Sequence, residues 1–253
     1  MDVGGTSIKA AVVGEDGVFL SKRLEMPTPH PATPRAVGRV LRAVVGDFGA
    51  NERVGIALPA PIVNSTVLSP PNIDAEWIGM DGESFLEGML GCPVSLINDA
   101  DAAGLAEAQM GAARGIDGLV LLLTLGTGIG SALLHDGHLI PNTELGMTPF
   151  RGGDNMEHYA APSVMTRDGI AEREWAERFN EVIALLELLL HPDLIIVSGS
   201  ITARWSDLAH FVQGQVPVVP AQFRGDAGII GASIAARPGG QTSLVHSKGS
   251  SAP

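Results

Sequence analysis

The sequence predicts an α/β protein of two related lobes, each a mixed sheet with helices, closing on a cleft. Three observations predict it. Apolar runs of strand character alternate along the chain with segments of helical spacing. Two segments, DVGGTSIKAAVV from Asp2 and LTLGTGIGSALL from Leu123, place the same Gly-Thr-rich backbone between apolar runs, roughly half a chain apart. The 253 residues, 45% of them hydrophobic, suffice for the core of one large domain or two small lobes.

The elements follow in order. DVGGTSIK reads as a turn that leads into an alternating strand, AAVVGEDG, and Lys22 to Met26 as a short strand. The proline-rich MPTPHPATP is a loop. Arg35 to Phe48 has helical spacing, with Val37, Val40, Leu41, Val44 and Val45 on one face. VGIALPAPIV reads as a strand, NSTVLSPPNIDAEW as a polar loop, and Ser84 to Leu90 as a helix. PVSLIND is a buried strand ending in Asn98 and Asp99, with a helix from Ala100 to Gly111 directly after it. DGLVLLLTLGTGIGSALLHDGHLI repeats the logic of strand, glycine turn, strand. A strong helix runs from Glu172 to Leu190, LIIVSGS is a buried strand, Trp205 to Val212 a short helix, VPVVPA a strand and AGIIGASIAA a final helix. The lobes divide as residues 1–100 and 101–236, the final helix at about 227–236 packing back on the first lobe. Residues 237–253, rich in Gly, Ser, Gln and Pro, are expected to be a disordered tail.

Composition excludes several classes of function. A net charge of -12 sets the bulk surface against nucleic acid and anionic membranes, and is also what simple solubility requires. The single cysteine, Cys92, allows neither an internal disulfide nor a cysteine-based zinc cluster, and fits a cytoplasmic setting. The longest apolar run, Gly118 to Leu123, is too short to cross a membrane, and the start, Met-Asp-Val-Gly-Gly, shows no signal peptide.

The chemistry concentrates in the glycine turns and the polar strand end. Converging backbone N–H groups recognise phosphate, and side chains would block their approach. Gly4, Gly5 and Thr6 form one such turn; Gly126, Thr127, Gly128 and Gly130 form the other. A single turn of this kind is also an ordinary hairpin, and it is the matched pair that points to phosphate. Neither is a Walker loop. Asp2, beside the first turn, would be repelled by phosphate unless a cation lay between, so it is expected to hold Mg2+ through water. Lys9 either neutralises donor charge or is a strand-exit residue. Asp99, at a strand end facing a ligand crevice, can accept a proton from an attacking hydroxyl, and Asn98 can fix a neighbouring hydroxyl. Equally, Asp99 or Asp101 can simply cap the helix. Asn72, Asp74, Glu144, Glu157 and His158 sit in loops of the kind that bind sugars, and each is also readable as a solvated loop residue.

DVGGTSIKAAVV, INDADAAGLAE, LTLGTGIGSALLHDG and PNTELG together resemble the ROK family of sugar kinases. PNIDAEW, INDADAAGLAE, DNMEHYA and VVPAQFRGDAGIIGAS are similar to its polyphosphate glucokinase branch, and the resemblance runs from Asp2 to about Ala236. It implies the two-lobed actin-like, hexokinase-like fold and phosphoryl transfer from polyphosphate or ATP to the 6-hydroxyl of glucose with Mg2+. By the same resemblance Asp99 is the catalytic base; Asn98, Glu144 and Glu157 bind sugar; Asn72 lies in a substrate loop; Gly4, Gly5, Thr6, Gly126, Thr127 and Gly128 form the phosphate loops. The resemblance further implies a homodimer, and no structural zinc, since the cysteine-rich zinc motif of many relatives is absent. The sequence departs from the pattern in three places. Met147 stands where the family has a sugar-contacting histidine, SGSIT at Ser198 to Thr202 stands where relatives read GGGVS, and only three residues precede Gly4, so that a longer first strand is expected. The alternative reading is a catalytically weak sugar-binding or regulatory member. The family's repressors carry a helix-turn-helix ahead of the first glycine turn, and this sequence shows none there.

Overall fold

The computed structural model describes residues 1–49, 53–69, 73–152 and 154–240. Among these residues it holds two five-stranded sheets of the same design. The first is ordered β3-β2-β1-β4-β7, from β1 (Asp2–Val3), β2 (Ser7–Ala10), β3 (Leu24–Pro27), β4 (Val54–Leu58) and β7 (Val94–Asn98). The second is ordered β10-β9-β8-β13-β14, from β8 (Leu119–Leu125), β9 (Ile129–His135), β10 (His138–Ile140), β13 (Leu194–Ser198) and β14 (Val218–Pro220). In each, three antiparallel neighbours give way to two parallel strands. The repeated Gly-Thr segments of the sequence are the β1–β2 and β8–β9 turns, so they occupy equivalent places in the two lobes.

Helices separate and cover the sheets. On the outer side of the first lie α1 (Pro34–Phe48) and α2 (Gly82–Leu90), whose buried Val37, Leu41, Val44 and Leu86 join Ile8, Ile56 and Leu58 of the strands. Thr33 caps α1 by accepting from Ala36 N at 3.2 Å, and Pro34 supplies a preset first turn. Covering the second sheet are α4 (Met156–Ala160), α5 (Ser163–Asp168), α6 (Glu172–Leu190) and α7 (Trp205–Leu208), with Trp175 and Phe179 stacked at 5.4 Å in that core. Two short ribbons, β5–β6 (Ile62–Val63, Thr66–Val67) and β11–β12 (Pro149–Phe150, Asp154–Asn155), project from the lobes.

Between the sheets run α3 (Asp99–Met110) and α8 (Ala227–Ala235), both rich in alanine and glycine. Their buried alanines join the inner faces of both sheets in one cluster with Ala57, Ile97, Leu122, Leu134 and Ile196. Backbones nearly touch here. A Cβ on Gly231 would stand 1.7 Å from the Ala102 carbonyl oxygen, and one on Gly55 would stand 1.8 Å from that of Ala232. No helix among the described residues is long and apolar enough to cross a membrane.

Some expected boundaries shift for local reasons. The strand after the first turn is Ser7–Ala10 rather than AAVVGEDG. Beyond it Val13 makes only an isolated bridge to Phe19, because Gly14 and Gly17 (φ 79°) turn the chain back. VGIALPAPIV is two strands, since Pro59 and Pro61 lack the N–H that a continuing ladder needs and Ala60 N bonds back to Leu58 O. The helix expected at Trp205–Val212 ends at Leu208 and follows a 3₁₀ segment at Ser200–Arg204. Asp99 is the first residue of α3 rather than the last of a strand. Most of the expected disordered tail, from residue 241, lies outside the described residues.

The Gly231 approach is testable. Gly231→Ala places a methyl group against backbone that has no rotamer to yield, so destabilisation of about 1–3 kcal/mol or more is expected, a loss of several degrees in Tm. Thermal unfolding followed by circular dichroism checks it; an unchanged Tm would mean that the two helices are not held at this separation.

Candidate active site

Both glycine turns open on the cleft. In the first, Gly4 N bonds to Ser7 O at 2.9 Å, and Thr28 pins the turn from behind by donating Oγ1 to Gly4 O at 2.5 Å and N to Thr6 O at 3.0 Å. In the second, Gly126 N bonds to Gly128 O at 3.1 Å, while Ser163 Oγ donates to Thr127 O at 2.6 Å. Gly128 is required by a neighbour: a Cβ there would lie 2.1 Å from Glu157 Oε2, the oxygen that accepts from Ile129 N at 2.9 Å.

A cavity of about 460 Å³ lies between the turns. Its walls include Gly4, Gly5 and Thr6 on one side, Gly126, Thr127 and Gly128 on the other, and the polar side chains of Asn98, Asp99, Glu144 and Glu157. Pro59 and Met147 complete the rim. A second cavity of about 390 Å³ adjoins it, walled by Asp2, Lys9, Thr124, Ser198, Ser200, Thr202, Arg224, Gly225 and Gly228. Asp99, Thr124 and Gly199 line both cavities, so Asp99 stands at their junction.

The elements explain these placements. Asn98 ends β7 and caps α3, its Oδ1 accepting from Ala100 N at 2.8 Å and Asp101 N at 3.1 Å. The capping that the sequence offered to Asp99 or Asp101 therefore falls to Asn98, while Asp99 accepts from Ala100 N at 2.8 Å and lines both cavities. Asp101 is buried and accepts from Asn142 N at 2.8 Å. Glu144 is fixed through its neighbours, since Ser131 Oγ accepts from Leu145 N at 3.0 Å and donates to Thr143 O at 2.6 Å. Asn155 caps α4, accepting from His158 N at 2.7 Å, and so aims Glu157 one turn away; its Nδ2 lies 3.7 Å from Met147 Sδ.

The carboxylates perturb one another. Burial, and then the charge of Asp2, push Asp99 up to about 7. Burial pushes Asp101 up to about 7 as well, against the bond from Asn142 N. Asp2 is raised by burial, partly offset by Lys9, and Glu144 is raised by burial and then by Glu157. Such shifts cluster where acid–base chemistry is done.

Thus Asp2, Gly4, Gly5, Thr6, Lys9, Asn98, Asp99, Gly126, Thr127, Gly128, Glu144 and Glu157 all come to the two cavities. Asp74 does not; it caps the 3₁₀ turn Ala75–Trp77 by accepting from Glu76 N at 2.9 Å. His158 does not; it is exposed and pairs with Asp154 at 2.7 Å. Asn72 lies outside the described residues. Sequence reasoning missed Arg224, which reaches the second cavity from a left-handed backbone position (φ 47°) and has no ion-pair partner among the described residues. The only local signal is the Arg-Gly pair in QFRGD just ahead of the last helix. It also missed Thr124, which a strand-core run of leucines disguised.

Comparisons with known proteins place the chain among relatives. The model of the ROK family matches residues 1–149. The polyphosphate glucokinase of Mycobacterium tuberculosis is 40% identical over 237 residues, 93% of this chain and 89% of that protein. The polyphosphate glucokinase of Mycobacterium leprae is 38% identical, over 93% of this chain and 73% of that one. Among solved structures, an inorganic polyphosphate/ATP-glucomannokinase from Arthrobacter sp. strain KM superposes with a TM-score of 0.88 at 41% identity, over 92% of this chain and 95% of that one. A ROK family glucokinase from Streptomyces griseus, in complex with glucose and AMPPNP, does so with a TM-score of 0.79 at 27% identity, over 93% and 97%. A family model that spans more than half the chain, relatives and structures that span nearly all of it, and a cleft between two sheets of one design lead to one conclusion: the chain belongs to the ROK family.

Proposed function

We propose that this protein is a sugar kinase that transfers a phosphoryl group from inorganic polyphosphate or ATP to the 6-hydroxyl of glucose or a related hexose. The observation that carries the reading is the position of Asp99 at the junction of two cavities of different chemistry. One offers carboxylates and an amide, which suit pairs of sugar hydroxyls. The other offers two cations, four hydroxyls and glycine backbone, which suit phosphate; the carbon-rich members of its wall are alanines. A phosphate chain fits that lining better than a nucleobase, which binds by stacking on flat apolar groups. The matching names of the Mycobacterium and Arthrobacter proteins support the same donor class.

In this reading the hexose lies in the first cavity against Glu144 and the free Oε1 of Glu157, with Asn98 Nδ2 as donor. Asp99 accepts the proton of the 6-hydroxyl as its oxygen bonds to the terminal phosphorus, and the bridging P–O bond breaks towards the second cavity. The shortened chain, or ADP, departs with its charge balanced by Lys9 and Arg224, while the glycine turns hold the transferring group. Two carboxylates facing one phosphate site, Asp2 and Asp99, form the hard oxygen donor set that suits Mg2+. Asp2 would hold it through water, and when bound the ion supplies neutralising charge to the phosphates. A cytoplasmic homodimer, with lobes of residues 1–100 and 101–236, completes the proposal.

Four measurements test it. Asp99→Asn keeps shape but cannot take a proton, so kcat should fall about 100- to 10,000-fold with hexose affinity little changed; a loss below about tenfold would remove Asp99 from the role. Because the folded-state carboxyl lies near 7 and the unfolded one near 3.8, the folded chain binds the extra proton between those values and stability falls as pH rises through them. Asp99→Asn should therefore raise Tm at pH 8 and leave it unchanged near pH 3. In the wild type, kcat/KM should decline about tenfold per pH unit below about 7 as Asp99 protonates; a flat profile to pH 5 would exclude it as base. Arg224→Gln should raise the donor KM by about tenfold or more, the worth of one charge-assisted bond, and leave the hexose KM alone. The opposite pattern would place Arg224 outside the donor site.

A further inference from the structure

Asn142 makes three hydrogen bonds that no step of the proposed reaction uses, and two of them join the two lobes. Its backbone sits at φ 60°, a region that asparagine tolerates better than most residues. Its N donates to Asp101 Oδ2 at 2.8 Å, which anchors it to the first turn of α3. Its carboxamide then pairs with both backbone groups of one residue in the other lobe: Oδ1 accepts from Ile62 N at 2.7 Å, and Nδ2 donates to Ile62 O at 2.9 Å. Ile62 begins the β5–β6 ribbon, three residues after Pro59; Asn142 precedes Glu144 by two. Pro59 and Glu144 both line the first cavity.

Each end of this link is tied to its own lobe. The ribbon is held by Leu68 N to Pro61 O at 2.9 Å and by Ser65 Oγ to Glu83 at 2.5 Å. The Glu144 segment is held by Ser131. The anchoring carboxylate is expensive to keep. Asp101 is 1% exposed, and its Oδ1 is a buried atom with no hydrogen-bond partner among the described residues. An unsatisfied buried oxygen destabilises a fold, so its presence calls for a purpose other than stability.

We propose that Asn142, seated by Asp101, is a positioning residue that fixes the separation of the Glu144 segment and the Pro59 turn, and with it the width of the hexose cavity. The proposal rests on the assignment of that cavity to the hexose. Asn142 itself touches no reacting atom.

Asn142→Gly is the decisive variant, because glycine keeps the left-handed backbone and the N–H to Asp101 while deleting the carboxamide. Two lost hydrogen bonds should raise the hexose KM by roughly tenfold or more, with the donor KM unchanged and Tm within a few degrees of wild type. An unchanged hexose KM overturns the proposal, and so does a parallel rise in both KM values, which is what a general staple between lobes would give. Asn142→Asp keeps the acceptor for Ile62 N but loses the donor to Ile62 O, and should fall between the two. Amide hydrogen exchange reads the link without catalysis: in Asn142→Gly the Ile62 amide and the Glu144 segment should exchange faster, and saturating glucose should restore less protection than in wild type. Unaltered exchange there overturns the positioning role whatever the activity. A wild type that binds no hexose in the same experiment would instead overturn the reading of the cavity.

Discussion

The contact on which the rest depends is the near-touching of backbones in the central layer. Gly231 rides on the carbonyl of Ala102 and Gly55 on that of Ala232, separations that any side chain would forbid. Because α3 and α8 lie this close, their N-termini emerge at the same end of the layer. Asp99 opens α3 there, and Gly228 in the first turn of α8 lies against the carboxylate of Asp2. Small residues thus do at the centre what large ones do in the outer cores: they set distances, and the distances bring Asp99 to a place where two cavities meet.

That placement sets charge against charge. Asp2, Asp99, Asp101, Glu144 and Glu157 crowd one region of a chain whose net charge is already -12. Burial, with mutual repulsion at Asp99, Asp101 and Glu144, raises four of them, Asp2 included, and the cations at hand, Lys9 and Arg224, line the second cavity. Stability is given up to hold a carboxyl whose proton affinity lies near neutrality, the range in which a general base works best. Arg224 makes the same trade in its backbone, occupying a left-handed position that is uncommon for residues other than glycine.

What the sequence disclosed, and what it withheld, follows from range. The glycine turns, the strand that ends at Asn98, and the long helix at Glu172–Leu190 are written in consecutive residues, and the structure places them close to where they were read, with Asp99 moved from the strand to the start of α3. Internal similarity of the two Gly-Thr segments was enough to anticipate lobes of one design. Local signal could not rank the polar loop residues. Asp74 and His158 look as eligible as Glu144 and Glu157, and only tertiary placement turns the latter pair inward. Nor could it say that Asn98, rather than Asp99 or Asp101, caps α3. Arg224 and Asn142 were invisible for a further reason: each works from a left-handed backbone position and towards a partner or cavity far away in sequence.

The return of α8 to the first sheet also orders the protein's birth on the ribosome. The inner face of β4 is completed by a helix from the opposite end of the described chain. Until α8 has emerged, a nascent first lobe exposes Ile97 and Ala57 to solvent and to other chains. Vectorial synthesis therefore cannot finish the lobes one after the other, as it can for beads on a string. The first lobe must wait, partly open, for this late segment, and that interval is when chaperone capture or misassociation between nascent chains has its opportunity.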